Sequence, residues 1–202
     1  RRALHAIPEL RMDTPKTEAY IARELALLGA EDIRTGVGGH GVTAWVRGAL
    51  PGKTLAIRAD CDGLPIREET GLPFASQNGN MHACGHDAHT AMLLGAAKLL
   101  KAREDELGGT VKLMFQPAEE TVGGGDRMVQ EGCCQNPDVD YTIGLHVQPY
   151  MDVGTVEMRY GQLNASCDTV TIKVKGKAGH GAYPERGVDA IVAAAGIVSG
   201  LQ

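Results

Sequence analysis

The stretch NMHACGHDAHTAMLLGAAKLL, residues 80–100, decides how this chain folds, because the hydrophobic period changes inside it. From Asp87 onward Ala88, Met92, Gly95, Ala96 and Leu99 recur at helical spacing, which predicts a helix to about Ala102. Upstream, TLAIRAD (54–60) is a short run of β-branched and apolar residues, and downstream VKLMFQ (111–116) is another; both read as strands. A Gly-rich loop with GGG at 123–125 then leads into a short helix at about 126–131, capped by Asp126, and YTIGLHV (141–147) is a further strand. The order is βαβαβ, that of a layered α/β domain. His82, Cys84, His86, Asp87 and His89 therefore fall on a strand-to-helix loop, while FQPAEE and GLHV fall at strand carboxyl ends, where open α/β sheets place their sites.

Working outward, Thr14-Pro15 followed by KTEAYIARELALLGA predicts a helix capped by Thr14, with Ile21, Leu25 and Leu28 on one face and Gly29 as its end. VTAWV (42–46) and TLAIRAD, separated by Leu50-Pro51-Gly52, read as a hairpin-like pair. After Gly161 the texture shifts. TVTIKVKG (169–176) alternates like a strand with one wet face, and GVDAIVAAAGIVSGLQ (187–202) reads as a helix packed through Val188, Ile191, Ala195 and Val198. The expected division is a first domain over 1–163 and the beginning of a second unit over 164–202, unfinished at Gln202.

With 202 residues, 43% hydrophobic content and a formal charge of −5, the chain can bury a sizeable core and lacks the basic patch that nucleic acid or a membrane surface would require. Five cysteines, odd in number and never in a CxxC, do not form a disulfide framework, so a reducing, cytoplasmic setting is expected. No run is long and apolar enough to span a bilayer, and no signal-peptide pattern is present. The chain opens on Arg1 and Arg2 rather than Met, which leaves room for a start, and a leader, upstream.

Cys84 and His86 flank one glycine, so a loop can turn thiolate and imidazole toward a common point, a donor pair suited to zinc and its neighbours. A buried cysteine beside a helix-capping segment is the plainer alternative. FQPAEE and GLHV add two adjacent carboxylates and another imidazole at strand ends of the same sheet. Adjacent side chains there point different ways, so one carboxylate can hold a metal while the other stays free for proton transfer. Cys61, Cys133, Cys134 and Cys167 read as small core residues, and GGG as a tight turn, since no GK[ST] or dinucleotide fingerprint accompanies it.

RRALHAIPEL (1–10), AIRADCDGLPIREETGLPFAS (56–76), NMHACGHDAHTAMLLGAAKLL (80–100), VKLMFQPAEE (111–120), GLHV (144–147) and GKAGHGAYPERGVDAI (176–191) stand in one order and spacing along nearly the whole chain. In that arrangement the sequence resembles the dinuclear metal amidohydrolases and carboxypeptidases that include aminoacylases, hippurate hydrolase and the plant auxin–amino acid conjugate hydrolases. The resemblance implies a zinc-peptidase-like catalytic domain, a mixed sheet flanked by helices, followed by the start of an α+β lid or dimerisation domain inserted into it. It implies Cys84, His86, Glu120 and His146 as metal ligands and Glu119 as catalytic base. A further ligand His is implied beyond residue 202, so these residues would be about half a protein, binding metal weakly by themselves.

The same resemblance implies two divalent ions per complete chain (Zn, Mn, Co or Ni) and an N-acyl amino acid or small dipeptide-like substrate. It further implies a homodimer through the inserted domain, in which His180 reaches a neighbouring site and polarises the scissile carbonyl. The family often has Pro-His after that motif, where Pro184-Glu185 stands here. His82 and His89 match no family ligand and have either a supporting or a surface role; Asp87 caps the helix or orients an imidazole. Asp60 stands where related branches carry an Asp that orients a metal-binding His, with a salt bridge to Arg58 as the alternative. A non-catalytic module with a structural metal on Cys84, His86 and His146 is the competing expectation, and a cysteine-nucleophile hydrolase the third.

Overall fold

The computed structural model describes every residue except Val122, Asn164, Ala165, Cys167 and Gln202, so the expected core role of Cys167 and the expected boundary at 163/164 touch residues outside the description. Two compact units appear, Arg1–Met151 and Asp152–Gln202.

The first unit contains α1 (Arg2–His5), α2 (Pro15–Leu27), β1 (Glu31–Val37), β2 (Gly41–Arg47), β3 (Leu50–Asp60), α3 (His86–Lys101), β4 (Gly108–Gln116), α4 (Gly124–Gln130) and β5 (Tyr141–Gly144). One five-stranded sheet runs β1-β2-β4-β3-β5. The β3–β4 and β3–β5 pairs are parallel, whereas β1–β2 and β2–β4 are antiparallel, so the sheet is mixed. Alternation along β4 sorts its side chains: Val111, Leu113 and Phe115 join Ile21 and Leu25 of α2, Leu93 and Ala97 of α3 and Cys61 in the main core. Met114 faces the other side with Ala56 and Met128 of α4, and Cys133 and Cys134 pack partly buried against that cluster.

The hairpin-like pairing of β2 with β3 is not what forms, because β4 lies between them. Glycines open the slot. Gly48 N–H bonds Gly109 O at 2.8 Å and Leu50 N–H bonds Leu107 O at 3.1 Å, so the segment that was expected to turn is clipped to the start of β4. A Cβ on Gly48 would stand 2.0 Å from Leu107 O, and one on Gly109, whose φ is +78°, 1.9 Å from Lys53 O. The actual hairpin is β1–β2, through a turn at Gly38 and Gly39 with φ of +64° and +109°.

Three local expectations also change. Thr14 occupies the N-cap of α2 without a side-chain bond; the Glu9 carboxylate takes Thr17 N–H at 2.8 Å and Lys16 N–H at 3.2 Å instead. Asp126 lies inside α4, whose N-cap is Gly123, and accepts from Gln130 at 2.7 Å. In α3 the inward face is His86, His89, Thr90, Leu93 and Ala97, not the stripe through Met92 and Leu99, which are 40% and 70% exposed.

In the second unit α5 (Ala190–Gly200) forms as expected, capped by Asp189, whose carboxylate accepts from Ile191 N and Val192 N. The stripe expected to pack is instead exposed, Ile191 and Val198 included. Residues 169–176 form no ladder: a strand needs a partner to satisfy its backbone, and none pairs with them among the described residues. Lys177 and Val188 make an isolated antiparallel bridge. Among the described residues no helix is long and apolar enough to cross a membrane.

Candidate metal centre

The three parallel strands β4, β3 and β5 end on the same edge of the sheet, and the α3 N-terminus starts there. Chain geometry delivers the side chains. Gly85, at φ +89°, turns Cys84 and His86 to one side, a conformation glycine adopts without the steric cost other residues bear. After β4, Ala118 is buried with φ +52°, an uncommon state for a residue with a Cβ, and this turn presents Glu119 and Glu120. Beyond β5, His146 swings back toward Cys84, with Nε2 3.3 Å from the Sγ.

Two imidazoles of the candidate centre have their tautomers set by backbone carbonyls, which only accept. His86 Nδ1 donates to Asp62 O at 2.9 Å and His146 Nδ1 donates to Val147 O at 2.7 Å. In the neutral ring, each therefore offers an Nε2 lone pair to the site. His86 Nε2 is buried without a hydrogen-bond partner, and so is Glu120 Oε1, 3.7 Å away. Donors at about 2.0–2.3 Å around a tetrahedral ion lie roughly 3.3–3.8 Å apart. The orphaned atoms thus have the separation that a shared cation requires.

Cys84, His86 and His146 can bring one donor atom each within 4.8 Å of one another, and so can His86, Glu119 and Glu120. His86 is common to both groups. A third grouping, Asp60 with His86 and His89, is already closed, because His89 Nδ1 donates to Asp60 Oδ1 at 2.5 Å and its Nε2 accepts Val147 N–H at 2.9 Å. Of the two roles considered for Asp60, the ion pair with Arg58 forms, its other oxygen taking Nη1 at 2.8 Å, while the imidazole it orients is His89 and not one of the expected ligands.

The electrostatics are those of donors that want a cation. Burial, then the nearby Glu120 and Glu119 carboxylates, push the Cys84 thiol up to about 12. Burial pulls His86 down, yet the Asp62 carboxylate, 3.3 Å from Nδ1, and the charges of Asp60, Asp62 and Glu120 outweigh it and hold the ring above its usual value. Burial would raise Asp60 too, but the His89 bond, His86 and Arg58 keep it low. A divalent ion between these groups would reverse the first two effects, favouring thiolate and neutral imidazole.

Asp62 was not singled out from the sequence. It is buried, and its two carboxylate oxygens accept the backbone N–H of Glu119 at 3.1 Å and of Glu120 at 3.3 Å. Its spacing of two from Asp60 at a strand end was the available signal. Asp87 binds Arg1 and His5, each at 2.9 Å, rather than an imidazole of the centre. His82 is buried with neither ring nitrogen partnered, and burial lowers it to about 4. His180 lies in the second unit, where its Nδ1 accepts Ala182 N–H at 3.1 Å and its ring lies tilted beside Tyr183, with centroids 5.5 Å apart.

Residues 56–201 match the peptidase family M20/M25/M40. The chain is 45% identical over 203 residues to an N-acetyl-L-cysteine deacetylase of Bacillus subtilis strain 168, covering 100% of this chain and 48% of the relative. It is 43% identical over 204 residues to an N-acyl-L-amino acid amidohydrolase of Geobacillus stearothermophilus, covering 100% and 54%. A crystal structure of a Bacillus subtilis dinuclear metal binding peptidase from the M20 family superposes with a TM-score of 0.71 at 44% identity, over 76% of this chain and 42% of that one. The chain spans about half the length of the curated relatives it matches.

Proposed function

Since this chain belongs to the peptidase family M20/M25/M40, we propose that the complete protein is a metal-dependent amidohydrolase cleaving the amide bond of N-acyl amino acids or small dipeptide-like substrates. In this proposal Cys84, His86, Glu120 and His146 hold the metal, two divalent ions (Zn, Mn, Co or Ni) bind per complete chain, and Glu119 is the general base. The observation that carries it is the pair of buried, unpartnered atoms, His86 Nε2 and Glu120 Oε1, with the more exposed Glu119 carboxylate beside them.

The ions would supply Lewis acidity to the scissile carbonyl and acidify the attacking water. The chain's residues do the rest. Asp62 fixes the backbone of both glutamates, so Glu120 stays turned inward at 19% side-chain exposure while Glu119, at 38%, reaches toward solvent and substrate. Glu119 takes the water proton and passes it to the leaving nitrogen, as general acid–base catalysis requires. His180, across a homodimer formed through the second unit, polarises the carbonyl. The expected setting is the cytoplasm, where a Cys84 thiol remains available to metal. A purely structural metal site would have no use for Glu119, a free base beside the ligands.

The test compares Glu119→Gln with Glu120→Gln in the complete protein, reading kcat on an N-acyl amino acid beside metal stoichiometry. Glu119→Gln keeps metal and loses about 10²–10⁴-fold in rate; Glu120→Gln loses metal with activity. The reverse pattern would exchange the two roles, and unchanged hydrolysis in both would end the amidohydrolase reading.

A further inference from the structure

His89 stands one turn after His86 on α3, is buried, and has no place among the ligands. Its bonds are unambiguous. Val147 contributes a backbone N–H, which only donates, so Nε2 must accept; Nδ1 then carries the proton and donates it to Asp60. Asp60 is held in turn by Arg58 at 2.8 Å, and Arg58 Nε donates to Gln116 Oε1 at 2.9 Å. A continuous chain of polar contacts thus runs from the end of β4 through β3 and α3 to the segment that follows β5.

That segment needs such an anchor. β5 pairs only as far as Gly144, Leu145 is 53% exposed and Val147 37%, and no ladder holds the backbone at His146. The carbonyl of Val147 is the acceptor that orients the His146 ring, and the N–H of the same residue is the one His89 grips. The His89 ring also meets the His146 ring edge-on with centroids 4.5 Å apart. From this geometry we infer that His89 is a positioning residue: it fixes the Val147 peptide and thereby aims His146 Nε2 at the point shared with Cys84. The inference rests on the proposed roles of Cys84 and His146 as ligands.

The test uses the complete protein loaded with cobalt(II), reading the thiolate-to-metal charge-transfer band of Cys84 and the ion's affinity by chelator competition. His89→Phe keeps the ring packing and loses both hydrogen bonds; it weakens the more affected ion about 10–100-fold, the usual effect of losing a partner that orients a ligand, and shifts the band. His89→Gln, whose amide again offers an acceptor and a donor, recovers part of the affinity. Thr90→Val is the control, since Thr90 is equally buried on the same helix and its hydroxyl donates to Asp60 O at 3.0 Å rather than to the His146 segment. It retains parental affinity. Parental affinity and band in His89→Phe, or equal losses in His89→Phe and Thr90→Val, overturn the positioning role while leaving the ligand set standing. A parental protein with no thiolate band, whose Cys84→Ala form keeps full metal content, overturns the ligand set and the inference together.

Discussion

Gly85→Ala is the substitution whose cost the structure specifies most fully. The residue sits at φ +89°, and a Cβ there would lie 2.5 Å from Val147 Cγ2. Two penalties follow. The left-handed backbone costs a residue with a Cβ about 1–2 kcal/mol. The contact, normally about 3.5–4.0 Å between carbons, forces a separation of about 1 Å or more. Val147 is bonded to His89 and His146, and residue 85 lies between Cys84 and His86, so the displacement falls on three proposed ligands. Metal donors tolerate only about ±0.2 Å. The expected outcome is a fall of about 2–8 °C in the melting temperature of the metal-free chain, which is the size of the backbone term in a domain of this length. Metal affinity falls far more steeply, by at least about tenfold. Val147→Ala removes the clashing methyl and leaves the backbone cost, so the double variant should regain metal affinity and keep most of the thermal deficit. Isothermal metal competition and thermal melts on the four proteins form a double-mutant cycle. Additive losses in metal affinity would refute the account, because they would mean that the methyl contact does not transmit the substitution to the site.

Two further outcomes are expected. His5 bonds buried Asp87 and Glu68 at 2.9 and 3.0 Å, with Arg1 on the same Asp87 oxygen and His82 nearby; burial opposes its charge, but the two carboxylates raise it. A raised histidine contributes stability that is full below its unfolded value of about 6.5 and is lost as pH climbs through the folded value. Urea melts of His5→Gln against the parent should therefore differ most at about pH 6 and converge in alkali, and a constant difference would count against the imidazolium. Gly109→Ala, which would press a Cβ onto Lys53 O at 1.9 Å with φ +78°, should prevent the native sheet from forming, whereas Gly71→Ala, with equal φ sign and open space, should cost only about 1–2 kcal/mol on far-UV-monitored unfolding.

What could be read in advance followed from short-range chemistry. β3, β4, β5 and α3 announced themselves by composition and period, and the donor types around Cys84 and Glu119 were distinctive enough to be grouped. Pairing was not local, so β2 and β3 looked like neighbours; only the close approaches at Gly48 and Gly109 show why β4 separates them. The α3 face was misjudged because His89 and Thr90 look like solvent-facing residues until their partners Asp60 and Val147 are known. Asp62 escaped notice for the same reason: its work is done on backbone amides 57 and 58 residues away.

The central place of β4 also sets an order of events in time. β2 and β3 leave the ribosome roughly 50 residues before the strand that must lie between them, an interval of about 3–10 s at ordinary rates of synthesis. Throughout that interval their facing edges carry unpaired N–H and C=O groups with each other as the nearest partners. A nascent chain that paired them would have to break that ladder before β4 entered. The glycines that let β4 pass between the two strands in the finished sheet also interrupt β-forming residues around Gly48 and Gly52, which weakens the premature hairpin while the wait lasts.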